Sequence, residues 1–71
     1  MIKAKLVESL EEMKEKECYI IDGNGLNLSC IDGNAYYFNS VLDDENIMNM
    51  GKDDLEDDIK NKAIYRVVLE N

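Results

Sequence analysis

Residues 18–39 read CYIIDGNGLNLSCIDGNAYYFN and contain the pattern that decides the fold. The motif Ile-Asp-Gly-Asn occurs at residues 21–24 and again ten residues later, at 31–34. Asp, Gly and Asn tolerate positive φ angles, so each copy is typical of a hairpin turn between two short strands. The stretch therefore predicts a three-stranded antiparallel meander.

The register of this meander assigns its side chains to two faces. We expect Gly23-Asn24 to close the first hairpin and a three-residue loop to close the second, which sets Leu28 opposite both Tyr19 and Phe38. The core face then contains Tyr19, Ile21, Leu26, Leu28, Cys30, Tyr36 and Phe38. The reverse face contains Cys18, Ile20, Asn27, Ser29, Ile31, Tyr37 and Asn39.

The N-terminal segment has the spacing of an amphipathic helix. Within residues 2–16, apolar residues recur at intervals of three and four, which predicts one apolar stripe on a helix that packs on the core face. The stripe consists of Ile2, Leu6, Val7, Leu10 and Met13.

The C-terminal segment predicts a short helix and a fourth strand. Residues 53–62 begin with acids and end with Lys60 and Lys62, as the helix dipole favours, and residues 63–69 are rich in β-branched side chains. Tyr65, Val67 and Leu69 are expected to face the core. A helical turn is also expected from Ser40 toward Gly51. The predicted fold is a single α+β domain over residues 1–71, with an N-terminal helix packed on a three-stranded antiparallel meander, then a short acidic helix and a fourth strand, in the order α-βββ-α-β.

Composition excludes several classes of function. The 71 residues include 16 acidic and 8 basic side chains, for a net charge of −8, and no histidine. No His-based catalytic triad or His–metal site is therefore available, and no nucleophile–base pair is recognisable. We expect no enzymatic activity, no cofactor and no metal. The acidic field opposes direct binding to nucleic acid, and no apolar run is long enough to span a membrane.

The sequence supports neither a zinc site nor a calcium site. Cys18 and Cys30 match no zinc pattern, and we expect both thiols to be reduced and unlinked because the predicted register puts them on opposite faces. The segments 22–27 and 43–46 are rich in oxygen ligands, but neither follows the ligand order of an EF-hand. Turn chemistry explains both segments better than calcium binding does.

Most of the negative charge is local. Residues 43–59 sum to −7, and residues 53–58 hold five acids in six positions, about one charge per 1.8 Å of helix axis, close to the roughly 1.7 Å of duplex DNA. This density predicts a surface that docks into a basic groove normally occupied by nucleic acid. The candidate contact residues are Asp43, Asp44, Glu45, Asp53, Asp54, Glu56, Asp57 and Asp58. The alternative is that these acids only stabilise a helix start and keep the protein soluble.

In size, acidity and the plan of a helix followed by a short meander, the chain resembles the small acidic inhibitors that phages encode against host nucleases and CRISPR effectors, some of which imitate DNA. The resemblance implies a non-enzymatic inhibitor whose partner is a larger, basic, nucleic-acid-binding protein. It also implies action in the cytoplasm, of the host if a phage encodes the chain. No motif of a particular family supports it, so it assigns no residue a role.

The reverse face of the meander is the second candidate surface. Ile20, Ile31 and Tyr37 would make it more apolar than a water-facing sheet normally is. Either it binds a partner or a second copy of the chain, or an intramolecular lid covers it. The residues available for such a lid are Val41, Leu42, Ile47, Met48 and Met50. The alternative functions are thus a small homo-oligomeric structural or regulatory module, and an acidic immunity or antitoxin protein.

Overall fold

The structure is a computed structural model that describes residues 1–41 and 47–69. The strands are β1 (Ile2–Leu6), β2 (Cys18–Ile21), β3 (Asn24–Asp32), β4 (Ala35–Ser40), β5 (Ile47–Gly51) and β6 (Ile64–Leu69), with one helix, α1 (Lys52–Lys60), and a 3-10 turn at Leu10–Glu12. All six strands form one sheet in the order β1-β6-β2-β3-β4-β5, and every neighbouring pair is antiparallel.

The fold class predicted from the sequence is wrong. Within residues 1–41 and 47–69 the structure is mostly antiparallel sheet with a single α-helix, and no N-terminal helix packs on a three-stranded meander. Residues 2–6 form β1 instead, because Ile2, Ala4 and Leu6 also alternate with Lys3 and Lys5 and so fit the period of a strand. The six-residue strand β6 supplies the pairing partner, a long-range contact that the local pattern of residues 2–16 does not contain.

The meander itself is confirmed as β2, β3 and β4, with two changes of register. The first hairpin closes through Asp22-Gly23, both at positive φ, so Tyr19 pairs with Leu26 and not with Leu28. A shift of two positions leaves every side chain on its expected face. Leu28 pairs with Phe38 as predicted.

A bulge in β3 produces the second change. The register shifts between Leu28 and Cys30, so Ile31 pairs with the buried Tyr36 while Cys30 pairs with Tyr37 on the other face. An extra residue reverses the alternation that follows it. Cys30 is therefore exposed, although the sequence places it in the core, and Ile31 packs against the core although the sequence places it on the reverse face.

The predicted second helix and fourth strand are present as α1 and β6, but β6 faces the other way. Ile64 is fully buried opposite Ile21, whereas Tyr65 and Leu69 are exposed. The prediction that Tyr65, Val67 and Leu69 face the core is wrong, because the register with β2 puts them on the reverse face. The helical turn expected from Ser40 toward Gly51 falls partly on residues 42–46, outside the described residues, and residues 47–51 are strand β5.

One core joins the sheet to the layer above it. Helix α1 and the segment 7–17 lie on the core face, where α1 contributes Leu55 and the segment contributes Val7 and Met13. The sheet contributes Tyr19, Ile21, Leu26, Leu28, Tyr36, Phe38 and Ile64. A backbone hydrogen bond also joins this layer to the sheet, since the Val7 N–H donates to the Ile64 carbonyl at 2.9 Å.

Candidate functional site

Helix α1 is positioned by its ends and by one buried side chain. The Lys52 N–H donates to the Asn34 carbonyl in the β3–β4 turn at 2.9 Å, which fixes the start of the helix. Leu55 is completely buried and Ile59 packs beside it, so this stripe faces the sheet. The side of α1 opposite the stripe must then point outward.

The five acids of α1 occupy that outward side. At about 100° per residue, they span an arc of about 200° centred opposite the Leu55 stripe. Four of them, Asp53, Asp54, Glu56 and Asp57, are exposed, and Asp58 is partly buried. The helix therefore presents its carboxylates over the outward half of its circumference, and Asp58, which the sequence predicts to be exposed, is partly buried.

Asp22 joins this group from a distant part of the chain. It lies in the β2–β3 turn, and its N–H donates to the Ala63 carbonyl at 3.1 Å, just beyond the end of α1. Burial raises the pKa of the Asp58 carboxyl above its ordinary value. The carboxyl of Asp22, within hydrogen-bonding reach of Asp58, raises that pKa further, as do Asp54 and Asp57.

We call this group the acidic helix surface. Its members are Asp22, Asp53, Asp54, Glu56, Asp57 and Asp58. Sequence reasoning does not find Asp22, because its proximity to Asp58 depends on the pairing of Ile21 with Ile64. No spacing along the chain reveals that pairing.

The lysines of the chain neutralise little of this surface. Among the described residues, Glu56 pairs with Lys52 at 3.8 Å, and both side chains are about half exposed. An exposed ion pair of this kind contributes between 0 and about 1 kcal/mol. The remaining carboxylates thus keep their negative potential.

Three of the predicted contact residues have no structural outcome. Asp43, Asp44 and Glu45 lie outside the described residues, so their position relative to α1 is not assigned. The acidic helix surface consists only of groups on α1 and on the β2–β3 turn.

An open groove lies beside the acidic helix surface, between α1 and the 3-10 turn. Its volume is about 510 Å³. Leu10, Tyr36 and Ile59 provide apolar lining, and acidic side chains stand around them. These acids are Glu8, Glu11 and Glu56. Lys52, the ion-pair partner of Glu56, also lines the groove, which thus combines an apolar lining with three carboxylates and one ammonium group.

The second predicted surface is only partly assembled. Ile20 and Tyr37 lie on the reverse face, whereas Ile31 does not, because of the β3 bulge. The predicted lid is not formed by the described part of residues 41–50, since β5 extends the edge of the sheet and pairs with β4. Of the lid residues, Leu42 lies outside the described residues.

The cysteines are free, as predicted. Cys18 donates through Sγ to the Asn27 Oδ1 at 2.7 Å, and Cys30 is exposed. Contrary to the prediction, the bulge puts both on the reverse face. Within residues 1–41 and 47–69, no three His, Cys, Asp or Glu side chains form a group that would hold a metal ion.

Comparisons of the chain with family models, with curated proteins and with solved structures found no match. In the part of the chain that the structure describes, no helix has the length and apolar character needed to cross a membrane.

Proposed function

We propose that this chain is a non-enzymatic inhibitor or binding protein that docks its acidic helix surface into the basic, nucleic-acid-binding site of a larger protein. The proposed type is that of anti-CRISPR or anti-restriction proteins, acting in the cytoplasm. The observation that carries the proposal is the placement of five acids on the outward half of α1, with Asp22 of the β2–β3 turn beside Asp58, where the described residues give these carboxylates one lysine ion pair.

Stabilisation of the helix does not account for this arrangement. Asp53 and Asp54 lie in the first turn of α1, where the helix dipole favours carboxylates. Asp57 and Asp58 lie toward the other end, where the dipole disfavours them. Asp58 is also partly buried against the carboxyl of Asp22, and burial first and this neighbour second raise its pKa. An arrangement that is locally unfavourable supports a role in recognition.

The groove beside α1 suits the side chains that a nucleic-acid-binding site presents. Lysine and arginine have apolar stems and charged ends. In the proposed complex such a stem lies along Leu10 and Ile59, and its charged end reaches Glu8 or Glu11. Charge complementarity of this kind speeds association and sets specificity more than it adds affinity.

Capture from cell lysate on immobilised protein tests the proposal. We expect nucleic-acid-binding proteins to be retained at low salt. High salt should release them because it screens the charges, and excess duplex DNA or RNA should release them because it competes with the chain for the same basic site. Retained proteins that resist both treatments, or that bind no nucleic acid, would contradict the proposal.

Two charge-matched variants make this capture specific. Asp53→Asn with Asp57→Asn removes two carboxylates from the acidic helix surface, and we expect it to retain much less of the partner. The control is Glu15→Gln with Asp32→Asn, which makes the same change in net charge at exposed positions outside α1 and outside the groove. Equal loss in the two variants would show that net charge, and not this surface, drives the binding.

An acidic immunity or antitoxin protein remains a variant of the same proposal, with a toxin as the basic partner. Capture distinguishes the two, because the identity of the retained protein differs.

A further inference from the structure

The reverse face of the sheet is almost without charge. In a chain with 34% charged residues, Asp32 at the β3–β4 turn is the only charged residue at the reverse-face strand positions of the described part. Strands β1, β6 and β2 contribute an apolar group to this face. We call this group of side chains the apolar sheet surface. Its members are Ile2, Ala4, Leu6, Cys18, Ile20, Tyr65, Val67 and Leu69.

This surface is open to solvent. Ile2 is 71% exposed and Leu69, its cross-strand partner, is 78% exposed. Val41 adds an exposed apolar side chain beside Gly25, next to Ile20 in the same row of the sheet. A contiguous apolar patch of this kind marks a contact surface.

The polar groups of the reverse face bond to one another. The Cys18 Sγ donates to the Asn27 Oδ1, and the Ser29 Oγ donates to the Asn39 Oδ1 at 2.6 Å. Both amide oxygens thus have partners within the sheet. Covering the face leaves these two acceptors satisfied.

We propose that a second copy of this chain covers the reverse face and forms a two-fold symmetric dimer in which the two sheets pack face to face. A face whose only charge in the described residues is Asp32, at one end of β3, offers little to a basic or acidic partner, whereas its apolar part is complementary to the same part of a second copy. Packing two such faces about 10 Å apart makes a β-sandwich core of the ordinary kind.

The size of the face fits the proposal. Six strands about 4.8 Å apart and about 17–20 Å long give a projected area of roughly 500 Å². Side chains roughen the face, so its accessible area is larger and approaches the roughly 600–800 Å² per partner of small specific interfaces. A second copy must cover the whole face, and not only β1, β6 and β2.

The distribution of charge permits this dimer despite a net charge of −8 on each copy. In the face-to-face arrangement the two acidic helix surfaces lie on opposite outer sides, roughly 30 Å apart when the sheet spacing and two helix layers are added. That distance is several times the Debye length of about 8 Å at physiological ionic strength. Both acidic helix surfaces remain available to other proteins.

Sedimentation equilibrium over a range of protein concentrations tests the dimer. We expect a mass of twice the 8.2 kDa of the chain at high concentration, and an association that salt leaves unchanged or strengthens. A monomer at every concentration would overturn the proposal and leave the face for a different protein. A dimer that dissociates in high salt would also overturn it.

A paired substitution locates the interface. Ile2→Lys with Leu69→Glu replaces two exposed cross-strand partners by an ion pair, which preserves the pairing of β1 with β6 and adds charge to the face. We expect the dissociation constant of the dimer to rise by about tenfold or more. The control is Ile2→Val with Leu69→Val, which keeps the face apolar and should leave the dimer intact.

The melting temperature of each variant shows whether the fold survives. A dimer that withstands the ion-pair variant would contradict the proposal, since it would form elsewhere on the molecule. Should that variant unfold, Tyr65→Lys at the other end of β6 serves as the second test, with the same expected loss of dimer.

Discussion

Asp58 shows, at the scale of one residue, the cost in stability of gathering carboxylates on the acidic helix surface. Its carboxyl is partly buried and faces the carboxyl of Asp22, and burial followed by this neighbour raises its pKa. A raised pKa for an acid means that the folded state resists ionisation. The native structure therefore holds a carboxylate where a neutral group would be more stable.

Replacing Asp58 by Asn should make stability less dependent on pH. Because the pKa is raised in the folded state, the penalty is absent at pH values below the ordinary Asp pKa of about 3.8. It grows as pH rises from there through the raised pKa, and it is fully present at neutral pH. We expect Asp58→Asn to match the wild type at strongly acidic pH and to be more stable at pH 7 by up to about 0.5 kcal/mol. Urea unfolding at both pH values measures this.

A double-mutant cycle identifies the source of the penalty. Asp22→Asn is tolerated at the φ of 51° of this residue, because Asn adopts the left-handed region readily. We expect the two substitutions to be less than additive at neutral pH, since each removes the same repulsion. Full additivity, or an Asp58→Asn variant that is less stable at pH 7, would show that the two carboxyls do not repel each other.

At the scale of the element, α1 depends on Leu55. This side chain is completely buried, and it anchors the helix on the sheet, while every other residue of α1 except Ile59 is charged. A nine-residue helix is too short to persist in water without tertiary packing. The orientation of the acidic helix surface is therefore set by one apolar contact stripe.

Leu55→Ala should lower the free energy of unfolding by about 2–5 kcal/mol, because it leaves a cavity under the helix. A domain of this length has a total stability of about 4–10 kcal/mol, so the variant should be close to unfolding. Ile59→Ala, at a partly buried position of the same stripe, is the control and should have a smaller effect. Denaturation followed by circular dichroism checks both, and a loss below about 1 kcal/mol at Leu55 would show that other contacts hold α1.

Element by element, the sequence predicts what local chemistry determines. The repeated Ile-Asp-Gly-Asn motif predicts both hairpins because Asp22, Gly23 and Gly33 must adopt positive φ. Acids at the start of α1 and Lys60 at its end predict that helix. The same local pattern identifies the five acids of α1 as candidate contact residues.

The errors arise where the outcome depends on a partner strand. Residues 2–6 fit a helical stripe and a strand equally well, and only pairing with β6 decides between them. Both faces of strand β6 carry apolar side chains, so the face that points to the core depends on which residue of β2 lies opposite Ile64. The bulge after Leu28 puts Cys30 and Ile31 on the faces opposite to those predicted, and no residue type in this stretch indicates a bulge.

The whole molecule has two unlike sides. The layer formed by α1 and residues 7–17 carries the acids, and the opposite side is a sheet surface with almost no charge. Such a separation lets one side pair with a second copy while the other presents negative potential to a basic partner. The central claim is that this negative potential, on the acidic helix surface, is what a partner recognises.

The most direct test of that claim is the affinity of the chain for its captured partner as a function of salt concentration, measured for the wild type and for the two charge-matched variants. We predict that log affinity falls steeply with log salt for the wild type. Asp53→Asn with Asp57→Asn should weaken low-salt binding by about tenfold and flatten the slope, whereas Glu15→Gln with Asp32→Asn should change neither appreciably. An affinity that stays flat with salt, or an equal loss in both variants, would contradict the account.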